Sequence, residues 1–85
     1  MNSYFCKTLQ DQIKCQKMLF AKGYYWNEGQ KICYISEHSP VVYHFREYNK
    51  HLSYSDKYIN FEETKKDYPS CIYFRTNNNN LMETE

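Results

Sequence analysis

The chain has 85 residues, 11 basic against 10 acidic side chains for a net charge of +1, and 19% aromatic residues, with ten tyrosines. That length supports one domain near the lower limit for a core that folds without staples. The charge balance argues against a dense phosphate binder, which needs a basic excess, and against a nucleic-acid mimic, which needs an acidic one.

No apolar run approaches the roughly 20 residues of a membrane helix, and no basic n-region leads into an apolar stretch at the start. A soluble, cytoplasmic protein is expected. The tyrosine excess accompanies a scarcity of Leu, Val and Ala, so aromatic rings must supply part of the core. A tyrosine has an apolar ring and a hydroxyl that wants a partner, which suits it to half-dry surfaces as well. An AT-rich coding sequence would produce the same bias.

Residues 3–6 open as a short strand. Thr8-Leu9-Gln10-Asp11 resembles a capping box, with Asp11 in place of the usual Glu. Residues 9–22 lack Gly, Pro and Val and end at Gly23, a natural residue for the helix C′ position. Helical spacing puts Leu9, Ile13 and Phe20 on one stripe, widened by Cys15 and Leu19, with Lys14, Lys17 and Ala21 opposite. Gln12 and Gln16 fall within or beside that stripe and are expected at its edge, amides turned to water. Tyr24-Tyr25-Trp26 and residues 31–36 read as two strands of a hairpin around Gly29.

Residues 41–48 alternate, with Val41, Tyr43 and Phe45 on one face and Val42, His44, Arg46 and Tyr48 on the other. A turn at Asn49-Lys50 returns the chain through residues 51–54, placing His51 opposite Tyr48 and His44 opposite Ser55. Tyr58-Ile59-Asn60-Phe61 reads as a strand end, residues 62–68 as one or two helical turns stopped by Pro69, and residues 71–74 as a strand. The fold class is therefore α+β, with one main amphipathic helix packed on a four- to five-stranded, mostly antiparallel sheet. Residues 1–76 form the domain and 77–85, rich in Asn, a flexible tail. One helix covers one sheet face, so the other needs a second short helix near residues 62–67, a dimer partner or a ligand.

Chemistry-bearing patterns are sparse. Cys6, Cys15, Cys33 and Cys71 stand singly, without the paired spacing of a zinc site, and are expected as small buried hydrophobes. The serines near His38 and His51 lack nucleophile-elbow glycines, and the two glycines build no phosphate loop. The reading is of a protein that is not an enzyme and uses no cofactor or metal. Residues 43–51 interleave rings with Arg46, Lys50 and His51, a pattern shared by base-stacking surfaces and ordinary amphipathic hairpins. With near-zero net charge, a small nucleotide is a better candidate than a polynucleotide, since one or two cations suffice.

Taken as a set, Leu19-Phe20-Ala21-Lys22-Gly23-Tyr24-Tyr25-Trp26, Pro40-Val41-Val42-Tyr43, Asn49-Lys50-His51-Leu52-Ser53-Tyr54 and Tyr68-Pro69-Ser70-Cys71-Ile72 resemble a layout of small uncharacterised early or accessory proteins of large tailed bacteriophages. The resemblance spans residues 8–74 and rests on loose motifs. It implies a non-enzymatic protein that binds and inhibits or redirects a host protein, in host takeover or anti-defence. The residues chosen for partner contact are Tyr24, Tyr25, Trp26, Arg46, Tyr48, Tyr54 and Tyr58, because Tyr, Trp and Arg dominate binding hot spots. Each of the aromatic ones is equally suited to the core. Two alternatives stay open: a nucleotide-sequestering or nucleic-acid-binding protein with stacked aromatics, and a small structural or virion component, with homodimerisation compatible with all three.

Overall fold

A computed structural model describes residues 2–26, 29–31, 33 and 40–75. Strand β1 (Asn2–Cys6) leads into helix α1 (Leu9–Ala21), followed by β2 (Val41–Phe45), β3 (Leu52–Ser55), the short helix α2 (Phe61–Asp67) and β4 (Ile72–Tyr73). The four strands form one sheet in the order β3-β2-β1-β4. The β1–β2 and β2–β3 pairs are antiparallel and β1–β4 is parallel. The fold is thus α+β on a mostly antiparallel sheet, as the composition and patterning anticipate. The 77–85 tail lies outside the described residues, as does most of the 31–36 strand expected to pair with Tyr24–Trp26.

Both helices start where a side chain replaces a missing backbone acceptor. Thr8, in extended conformation, accepts from the Asp11 amide at 3.1 Å, and Asn60 accepts from the Glu63 amide at 2.8 Å. The Asn60 cap overturns the expected strand end at 58–61, because Phe61 is already helical. Gly23 follows the end of α1 with a φ of +97°, the left-handed conformation that suits glycine there. In α2, Glu62 and Glu63 lie in the first turn and Lys65 and Lys66 in the last, each complementing the helix dipole.

Strand parity divides the sheet into two faces. Tyr4, Cys6, Val41, Tyr43, Phe45 and Leu52 pack with Cys15 and Leu19 of α1, and with Tyr24, Trp26 and Phe74. Stacked and edge-on rings fill the space that aliphatic residues would normally occupy: Tyr4 lies 5.2 Å from Phe45 and 5.7 Å from Phe74, and Tyr24 lies 5.1 Å from Phe45. On the opposite face Phe5 and Val42 pack with Tyr58 and Cys71, flanked by Phe61, Tyr68 and Tyr73. A second short helix therefore helps close the face that α1 cannot reach.

Two further expectations are corrected. The α1 residues facing the sheet are Gln12, Cys15, Gln16 and Leu19, whereas Leu9 is 46% exposed and Ile13 and Phe20 are half-buried. Both glutamines are fully buried because they serve other buried polar groups. The Tyr43 hydroxyl donates to Gln12 Oε1 (3.2 Å) and accepts from Gln16 Nε2 (3.0 Å), while Trp26 Nε1 donates to Gln16 Oε1 (3.2 Å). The β2–β3 register also differs from expectation: His44 faces Ser53 and Phe45 faces Leu52. The strands separate at Phe45, and residues 46–51 form a longer loop. It is closed by the Lys50 amide on the Arg46 carbonyl (2.9 Å) and by the His51 amide on Asn49 Oδ1 (3.0 Å). Lys50 takes a φ of +62° within it. A shift of two residues leaves every side chain on its expected face.

Candidate binding surfaces

The seven predicted contact residues separate by burial. Tyr24, Trp26 and Tyr58 lie in the core. The Tyr24 ring is buried while its hydroxyl donates to Glu47 Oε2 at 2.9 Å. Burial and then the carboxylate raise its pKa, and Lys50 Nζ sits 4.7 Å from the ring centroid. Tyr58 donates to Asp67 Oδ2 at 2.6 Å, tying the chain before α2 to the last turn of that helix; this hydrogen bond and then burial raise its pKa. Tyr25 is half-buried, with its hydroxyl donating to the Asn49 carbonyl at 3.3 Å and its ring edge-on to His51 at 5.3 Å. Its backbone brackets the start of β3, through its amide on the Lys50 carbonyl and the Leu52 amide on its own carbonyl, each 2.9 Å.

Tyr48 and Tyr54 remain outside, at 83% and 53% exposure. Tyr54 leans edge-on toward Trp26 at 6.2 Å. Tyr48 joins half-buried Arg46, Glu47, Phe45 and Asn2 around a depression of about 320 Å³. The fold thus gathers Tyr24, Tyr25, Arg46 and Tyr48 around the 46–51 loop, at the sheet end marked by the Asn2–Phe45 pair. Tyr58 lies on the other face of the sheet, under α2.

A second concavity of about 480 Å³ opens at the other end of the strands, near the Cys6–Val41 pair. Phe5, Phe61 and Tyr73 form its aromatic wall, with ring centroids 5.1–5.6 Å apart. Ile59 is 77% exposed at its edge, and Lys7, Arg75 and Glu62 bring charge to the rim. Sequence reasoning did not find this groove. Its residues come from β1, the start of α2 and β4, and only the parallel β1–β4 pairing makes them neighbours.

His44 is buried between two hydroxyls, Ser3 Oγ at 2.7 Å from Nδ1 and Ser55 Oγ at 3.0 Å from Nε2, with the Tyr68 ring 4.5 Å away. Burial, and secondarily the Arg46 cation, lowers its pKa and keeps the imidazole neutral at neutral pH. The hairpin reading brings Ser55 near His44, but Ser3 arrives only through the β1–β2 pairing, 41 positions away in the chain.

Cys6, Cys15 and Cys71 are buried and Cys33 is half-buried, all as free thiols. Burial pushes the Cys71 thiol up to about 12, and burial with the adjacent Cys15 thiol raises Cys6, so neither is a ready thiolate. Among the described residues, no group of three or more His, Cys, Asp or Glu side chains is placed to hold a metal ion, and no helix is long and apolar enough to cross a membrane. Comparison of the chain with protein-family models, with curated proteins and with solved structures gives no match.

Proposed function

We propose that this chain is a small non-enzymatic binding protein, of the kind large tailed phages use to inhibit or redirect a host protein, and that Tyr48 is its anchor. The observation carrying this reading is the contrast among the tyrosines. Tyr24, Tyr25, Tyr43 and Tyr58 have hydroxyls engaged inside the molecule, while Tyr48 stands 83% exposed beside Arg46 at a shallow depression. A tyrosine next to an arginine supplies large contact area with few rotors and a charge-assisted donor. The loop bearing both is tied down by the Lys50–Arg46 and His51–Asn49 hydrogen bonds, so little ordering entropy is lost on binding.

The test is affinity capture from a host lysate with the parent chain and with a Tyr48→Ala/Tyr54→Ala double variant, checked for unchanged far-UV circular dichroism and cooperative urea unfolding. The captured protein should be lost with the variant. Equal capture by the folded variant would remove the surface assignment.

A further inference from the structure

We infer that the groove between β1, β4 and the start of α2 is a binding site for a planar aromatic anion of the mononucleotide class. It shares no residue with the Tyr48 surface, so it stands independently of the host-protein reading. The volume, about 480 Å³, lies within the range typical of small-molecule sites. One wall is aromatic: Phe5 is buried at the base, and half-buried Phe61 and Tyr73 meet edge-on at 5.2 Å. Phe61 and Tyr73 are only half-buried, so part of each ring is left for a nucleobase, and aromatic contact of this kind tolerates any base. The exposed Ile59 adds apolar surface that has no role in the described core.

The charge at the rim selects an anion. Lys7 and Arg75 are both exposed there, and among the described residues neither has a carboxylate within ion-pair distance. Arg75 already rests over the Tyr73 ring at 4.2 Å, which restricts the rotamers it must give up on meeting a phosphate. Glu62 disfavours an anion near itself and accepts hydrogen bonds from ribose hydroxyls or an exocyclic amine. The phosphate is thereby directed toward the two cations. Two positive groups are enough for one phosphate and too few to track a polynucleotide, in keeping with a net charge of +1.

The experiment is a titration of the isotope-labelled full chain with AMP, GMP, CMP and UMP, followed by amide and aromatic chemical shifts. Adenosine and inorganic phosphate are titrated as the separate halves. At least one monophosphate should shift Phe5, Phe61, Tyr73 and Arg75, and adenosine and phosphate should each bind about tenfold more weakly or worse. A Lys7→Ala/Arg75→Ala double variant, altered only at exposed positions, should lose about tenfold or more in monophosphate affinity. Absence of shifts with all four monophosphates at roughly 10 mM, a weaker range than the millimolar dissociation constants of marginal ligands, would overturn the inference. So would shifts centred outside the groove, undiminished binding by a double variant whose circular dichroism is unchanged, or binding confined to oligonucleotides.

Discussion

The two faces of the sheet satisfy their polar groups in different ways. Beneath α1 the buried polar atoms form a relay, from Gln12 through Tyr43 and Gln16 to Trp26, within a large aromatic cluster. Beneath α2 the cluster is smaller, and its buried polar centre is one imidazole held between Ser3 and Ser55. A relay of fixed amides and ring donors fails as a unit, whereas hydroxyls rotate and can donate or accept as needed. The α1 face should therefore be the more sensitive to a single polar deletion, and the α2 face the more sensitive to protons.

The strongest attack on that contrast is Gln16→Leu. It is close in size, but it removes the acceptor for Trp26 Nε1 and the amide donor to Tyr43. Losing a hydrogen bond of a buried polar group costs about 1–3 kcal/mol, and the Tyr43 hydroxyl keeps its bond to Gln12 Oε1, so a loss of about 1–3 kcal/mol in a urea titration is expected. A loss below about 1 kcal/mol would mean that the relay does not act as a unit. On the other face, Asn60→Ala removes the acceptor for the Glu63 amide and should cost about 1 kcal/mol. Faster hydrogen exchange should then be confined to α2 and its junctions. Exchange that rises equally through β1 and β2 would show that α2 opens only with the whole fold.

Local signals made the element order readable. Thr8 and Asp11 announce α1, Gly23 ends it, and the alternation from Val41 to Phe45 assigns sides that a two-residue register shift cannot change. Pairings between distant side chains were not readable. Gln16 looks like a rim residue until Tyr43 and Trp26, 27 and 10 positions away, arrive as its partners. The same limit applies to the surfaces. Tyr24 and Tyr48 are identical in composition terms, and only the packing of Tyr24 against Phe45 and its bond to Glu47 separates the core residue from the exposed one. The groove depends on β4 returning parallel to β1, which no local pattern encodes.

The smallest effect at neutral pH, and the sharpest test of the α2 face, comes from His44. Its pKa is lowered from an ordinary value near 6.5 by burial and by Arg46. The unfolded chain therefore takes up a proton at a higher pH than the folded one does. The stability associated with the neutral imidazole is complete above about 6.5 and is lost as pH falls from there toward the folded value. Ser3 and Ser55 can both turn to accept from an imidazolium, so the cost of protonation lies in desolvating the charge and in its repulsion from Arg46. Urea titrations between pH 7 and about 5, above the range where most carboxylates titrate, should show stability falling with pH. In His44→Gln, which bridges two hydroxyls without titrating, the slope over that window should flatten. If the variant retains the full slope, the proton sensitivity belongs to another group, and the two faces differ in their partners without differing in their response to pH.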